Sequence, residues 1–169
     1  MVIDWRALDK QVGGCWGTEP GRRVLELIVG EENIRSAVDH WIAFEPGYGA
    51  AEQVLLIMRP SVAMEYCYRI FKNEPNTERA DRAIFLLSEM ADSRFMQWAR
   101  ELMDNKRTRW NTLVALEQVL EGALGDEGIA LAKELLAEAE ADPNETLRER
   151  AIAIHKRLTA NPYLKHLEL

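Results

Sequence analysis

The chain has little cysteine, histidine or surplus positive charge, and each shortage removes a class of protein. Two cysteines, Cys15 and Cys67, in 169 residues give no disulfide framework and are expected to be reduced packing residues. Three histidines, His40, His155 and His166, fall in no His-x-x-x-His spacing and near no cysteine pair, so no metal site is expected. Glycine-rich phosphate loops and nucleophile elbows are also missing, which leaves no catalytic residue or cofactor to name and points away from an enzyme. Lys and Arg number 21 against 28 Asp and Glu, and a net charge of -7 argues against a nucleic-acid binder. Apolar runs are as short as residues 54–58, far below a membrane span. The first residues carry an early acid and no apolar stretch before a small-residue cleavage site, so a cytoplasmic protein is expected.

What the chain does have is helical periodicity from end to end, with almost no alternation long enough for a strand. The fold class expected is all-α. Punctuation by Pro20-Gly21, Gly30, Pro46-Gly47, Pro60, Pro75-Asn76, Asp92, Gly125 and Pro143 cuts it into roughly ten helices. These fall near 4–12, 21–29, 32–43, 49–58, 61–72, 77–90, 93–104, 108–123, 126–140 and 144–159. Asp142 is expected to cap the last of them with Pro143 at its first position, and Gly125 to end its predecessor in a left-handed conformation.

Residues 99–103 superpose on 132–136 at an offset of 33, and residues 67–71 join them at 32, making a small-residue column of Cys67, Ala99 and Ala132. The helices before them superpose as 83–90 on 113–120 at an offset of 30, with 54–61 a further 29 back, while the pair from about 21 to 43 fits loosely. On these columns the chain resembles the HEAT-like repeat family, in particular the short repeats of the phycobilisome-lyase type, from about residue 49 to 158. Helix pairs of about 30 residues bury their apolar faces by stacking. The expected architecture is an α-solenoid of about four to five antiparallel helix pairs in a single domain 1–169, with 1–20 and 159–169 as caps and 21–158 as repeats. The family also holds di-iron hydroxylases with His-Glu dipeptides, absent here, and DNA-repair glycosylases with basic grooves, which this acidic chain does not match.

Within the second helices, Met64/Met96/Ile129, Tyr66/Trp98/Leu131, Ile70/Leu102/Leu135 and Phe71/Met103/Leu136 join the small column as one apolar face. The remaining positions are Glu65, Tyr68, Arg69, Gln97, Arg100, Glu101 and Lys133, with Ala130 and Glu134. In HEAT-like proteins second helices line the concave face, so the resemblance implies that these residues face a groove holding another protein or peptide. A plain solvated face is the alternative for the same residues. A secondary candidate surface is Trp16, in a glycine-rich stretch, together with Lys106, Arg107, Arg109 and Trp110, the one dense basic run. Trp41 and Trp98 read as packing residues, and His40 as a histidine on a polar helix face. Two rival functions remain open. One is tetrapyrrole handling of the bilin-lyase type, with Arg100, Arg107 or Arg109 on the propionates; the other is a bacterial immunity protein whose acidic surface blocks a basic toxin.

Overall fold

The computed structural model describes Asp4, Ala7 and residues 18–122 and 124–160. Among the described residues the protein is all-helical and has no strand. The helices are α1 (Thr18–Val29), α2 (Glu31–Ala43), α3 (Tyr48–Met58), α4 (Ser61–Asn73), α5 (Glu78–Glu89), α6 (Met96–Asp104), α7 (Arg109–Leu120), α8 (Asp126–Glu140) and α9 (Glu145–Ala160), with a 3-10 turn at Ser93–Phe95 before α6. Apart from Asp4 and Ala7, the helix expected over 4–12 lies outside the described residues, as do Trp5, Cys15, Trp16 and the tail 161–169. Among these residues no helix is long and apolar enough to cross a membrane.

Three expected helix ends are placed differently. Pro20 lies inside the first turn of α1 rather than ahead of it, where a missing N–H costs nothing. Gly125 is extended (φ -75°) and precedes α8 instead of closing α7 in the left-handed region. Asp142 does not cap α9: its carboxylate accepts the Asn144 N–H at 2.8 Å, and Asn144 accepts the Leu147 N–H at 3.2 Å as the cap. Left-handed residues do close α2 and α3, but they are Phe44 (φ +53°) and Arg59 (φ +44°), side chains that rarely adopt this region.

By contact the chain forms two compact units, Met1–Ala83 and Ile84–Leu169. In the first, α2 packs on α1, on α3 and on α4, around a core of Ile34, Val38, Trp41, Leu55, Met64, Cys67, Ile70 and Phe71. Burial pushes the Cys67 thiol far above its ordinary value, which keeps it protonated and unreactive. In the second unit α6 packs on α7 and α8, and α9 on α7 and α8, around Ala99, Leu102, Leu113, Leu116, Ala132, Leu135 and Ile154.

Burial repeats in step with the sequence columns. In segments 64–71, 96–103 and 129–136, the fourth, seventh and eighth residues are buried, the second and sixth exposed, and the fifth half-buried. Segment 35–42 on α2 shows the same burial at Val38, Trp41 and Ile42, which brings α2 into the set. For the first helices, the burial of 113–120 matches 84–91 and not 83–90, one residue from the sequence superposition. Cys67, Ala99 and Ala132 are each fully buried. Replacing Ala99 with leucine is therefore expected to cost about 1–3 kcal/mol by overpacking, read as a lower urea midpoint at unchanged slope. An unmoved midpoint would show that the space beside Ala99 is loose.

Candidate functional site

The most developed polar surface lies in the first unit, where α2, α4 and the start of α5 meet around Tyr66. Asp39, on the exposed side of α2, accepts a hydrogen bond from the Tyr66 hydroxyl at 3.0 Å and one from Arg79 Nη2 at 2.8 Å. The other arm of Arg79 pairs with Glu74. The Asp39 hydrogen bond, reinforced by those to Glu74 and Tyr66, raises the Arg79 guanidinium above its ordinary value. Two more guanidiniums lie over the tyrosine ring, Arg35 at 5.6 Å and Arg69 at 6.0 Å from its centroid. Arg35 is paired with Glu31, one turn away. Arg69 has no carboxylate partner among the described residues.

Asp39 and Ser36 stand in the walls of two shallow recesses, of about 540 and 560 Å3. One recess is bounded by Glu31, Glu32, Arg35 and Tyr66. His40, Ile42, Ala43, Glu45, Glu78, Arg79 and Arg82 bound the other. His40 is half-buried, with Nδ1 2.9 Å from Glu45 and Nε2 3.0 Å from the Pro46 carbonyl oxygen, and so pins the α2–α3 turn. Arg82 donates to the Ile42 carbonyl at 2.7 Å, pairs with Glu78, and lies 4.5 Å from the Phe44 ring centroid. Its charge sits at the negative end of α2, where a cation is favoured.

The second unit presents a different arrangement. Arg100 on α6 reaches α8, with Nη1 2.7 Å from Glu138 and Nη2 2.7 Å from Glu134. Hydrogen bonding to Glu138 raises its guanidinium above the ordinary value. The expected groove residue Arg100 is thus committed to a neighbouring helix, while Gln97 and Glu101 are exposed and Lys133 half-buried. In the first unit Glu65 and Arg69 are exposed and Tyr68 is half-buried with Lys72 5.9 Å from its ring centroid.

The side chains of the basic run differ in what they touch. Thr108 is buried and donates its hydroxyl to the Leu102 carbonyl, which ties the turn after α6. Arg109 turns back: Nε donates to the Met103 carbonyl at 2.9 Å and Nη1 pairs with Asp142 at 2.5 Å. A cation is unfavourable at the positive end of α7, and here its charge is delivered to the carbonyl end of α6 instead. Lys106 and Arg107 are exposed, and Trp110, 44% exposed, has Arg150 5.8 Å from its ring centroid. Arg100 and Arg109, two of the arginines considered for propionate groups, already hold carboxylates. Among the described residues no group of three or more His, Cys, Asp or Glu is placed to hold a metal ion.

Sequence reasoning passed over Ser36, Asp39 and Arg79, and assigned Tyr66 to the apolar face. The signal was present: carrying the Cys67 column back to Val38 puts Ser36, Asp39 and His40 at the positions of Glu65, Tyr68 and Arg69. The chain matches no protein-family model, no curated protein and no solved structure, so the HEAT-like resemblance rests on these columns alone.

Proposed function

We propose that the protein is a non-enzymatic, cytoplasmic adaptor of the HEAT-like solenoid type that holds another protein or peptide along its second helices. The observation that carries this reading is the burial register shared by α2, α4, α6 and α8. In each unit two of these helices pack side by side, α2 with α4 and α6 with α8, which is how a stacked-pair architecture presents a continuous face. That face is polar and mixed in charge, a character suited to selecting a partner more than to raw affinity. The side chains assigned to contact are Glu65, Tyr68, Arg69, Gln97, Glu101 and Lys133, with Arg100 acting through its pairs to Glu134 and Glu138.

Photo-crosslinking residues placed one at a time at Glu65 and Gln97 should give adducts in host lysate that are several-fold stronger than those from Gln53 on α3 and Glu149 on α9, all four being exposed. Tyr68→Ala should weaken the captured interaction by about 2 kcal/mol if it is an anchor, with the circular dichroism of the chain unchanged. Equal crosslinking from both sets of positions would overturn the assignment of the face.

A further inference from the structure

We infer that His40 is a proton-operated clasp on the turn between α2 and α3, closed on Glu45 and on the Pro46 carbonyl together when its ring carries two protons, and released at one of them when it carries one. Both ring nitrogens face acceptors: Nδ1 is 2.9 Å from the Glu45 carboxylate, and Nε2 is 3.0 Å from the Pro46 carbonyl oxygen. A neutral imidazole has one N–H to donate, so in either tautomer one nitrogen presents its lone pair to an oxygen that has no proton to give. The imidazolium donates to both. The ring lies against the turn itself, since a Cβ at Gly47 would come 3.6 Å from Nε2. That turn also holds Phe44 in the left-handed region (φ +53°), which costs a residue with a side chain some stability, and Gly47 at φ +95°. The other charged groups around the ring have partners. Asp39 on α2 takes Arg79 of α5, Glu78 and Arg82 of α5 take each other, and Glu52 on α3 accepts the Trp41 indole N–H at 3.2 Å. Among the described residues the recess beside His40 draws no residue from α1 or α4. Carboxylates and guanidiniums ordinarily keep their charges between about pH 5.5 and 8, so the imidazole is the group in this setting that changes. The clasp is therefore closed at the acid end of that range and lost as pH rises through it. The inference goes beyond the adaptor reading and does not depend on it.

The test is hydrogen exchange of the full chain with water, measured by NMR at about pH 5.5 and about pH 8 and expressed as protection factors, which removes the pH dependence of the exchange chemistry itself. The amides to follow are Tyr48 N–H, which donates to the Glu45 carbonyl at 2.9 Å, and Ala50 N–H, which donates to the Gly47 carbonyl at 2.9 Å. Gly122 N–H, which donates to the Val119 carbonyl at 3.1 Å in the second unit, is the control. Tyr48 and Ala50 should be about threefold better protected at the lower pH, the size of effect an exposed charged pair exerts, while Gly122 stays unchanged. His40→Gln should abolish the difference and leave the low protection at both pH values. Glu45→Gln should abolish it in the opposite sense, because its amide accepts from a protonated Nδ1 and donates to a bare one, so the high protection persists at both. Equal protection of the two amides at both pH values in the unaltered chain would overturn the inference, as would a difference that survives His40→Gln. Low protection in both variants would reduce the effect to plain charge attraction and overturn the two-acceptor clasp. A change at Gly122 as large as that at Tyr48 would assign the effect to unfolding of the whole chain and overturn it as well. None of these outcomes bears on the crosslinking comparison.

Discussion

Replacing Glu26 with alanine is expected to cost about 2–3 kcal/mol of stability, a large effect for one polar side chain. Glu26 is on α1 and only 5% exposed, yet it is an acid. Its Oε1 accepts the Ser61 N–H at 2.5 Å, at the first residue of α4, and Oε2 lies 3.3 Å from Arg23 Nη1. The residue ahead of α4 is Pro60, whose side chain caps nothing, so a carboxylate 35 positions earlier supplies the acceptor and faces the positive end of the helix. Alanine removes that acceptor from a part of the molecule where water has limited access. Glu26→Gln keeps the shape and an acceptor but loses the charge, and should cost about 1 kcal/mol. Urea unfolding monitored by circular dichroism gives both values; a loss below about 0.5 kcal/mol for alanine would mean that water replaces the carboxylate at the start of α4.

In the second unit the expectation is an asymmetry. Glu117 on α7 is 6% exposed, and two arginines of α9 converge on it, Arg150 at 2.5 Å and Arg157 at 2.9 Å. Removing both arginines strands a buried carboxylate, and the Arg150→Ala, Arg157→Ala variant should lose about 3–5 kcal/mol. Removing the acid instead leaves two cations that are less enclosed than it is: the Arg150 side chain is 33% exposed, and that of Arg157 is 55% exposed and keeps Glu121 at 2.7 Å. Glu117→Met, which fills the same space with an apolar chain, should therefore cost far less, about 1 kcal/mol or under. Comparing the two unfolding curves checks the ordering, and a methionine variant as unstable as the double arginine variant would contradict it.

These two carboxylates also show where sequence reading stopped. A buried glutamate on a helix looks like any other glutamate until its partners are placed, and those partners come from other helices: Ser61 for Glu26, Arg150 and Arg157 for Glu117. Helices themselves were legible, because glycine, proline and the apolar period act within a few residues. Gly30, Gly47 and Pro60 ended or began helices as expected, and the column Cys67, Ala99 and Ala132 is buried. The α2 member of that series was harder to see, since Val38, Trp41 and Ile42 share burial with the later helices but little chemical identity with them. Tyr66 was misread for a related reason: its ring is half-buried as an apolar residue would be, while its hydroxyl serves Asp39 and Arg79. Arg100 and Arg109 looked available for a ligand because their carboxylate partners are more than 30 positions away in the chain.

The connections described within each unit have a bearing on how the chain reaches its structure. Asp39 to Arg79 spans 40 positions, Arg100 to Glu138 spans 38, and Glu26 to Ser61 spans 35. Closing loops of this size costs little more entropy than closing much shorter ones, because the penalty grows only with the logarithm of length. Within each unit, helical structure joined over spans of this size favours faster folding than a topology built on long-range strand pairing. During synthesis, α4 needs nothing downstream of itself to receive Glu26 at its first turn, so the acceptor is already made when the helix that requires it emerges.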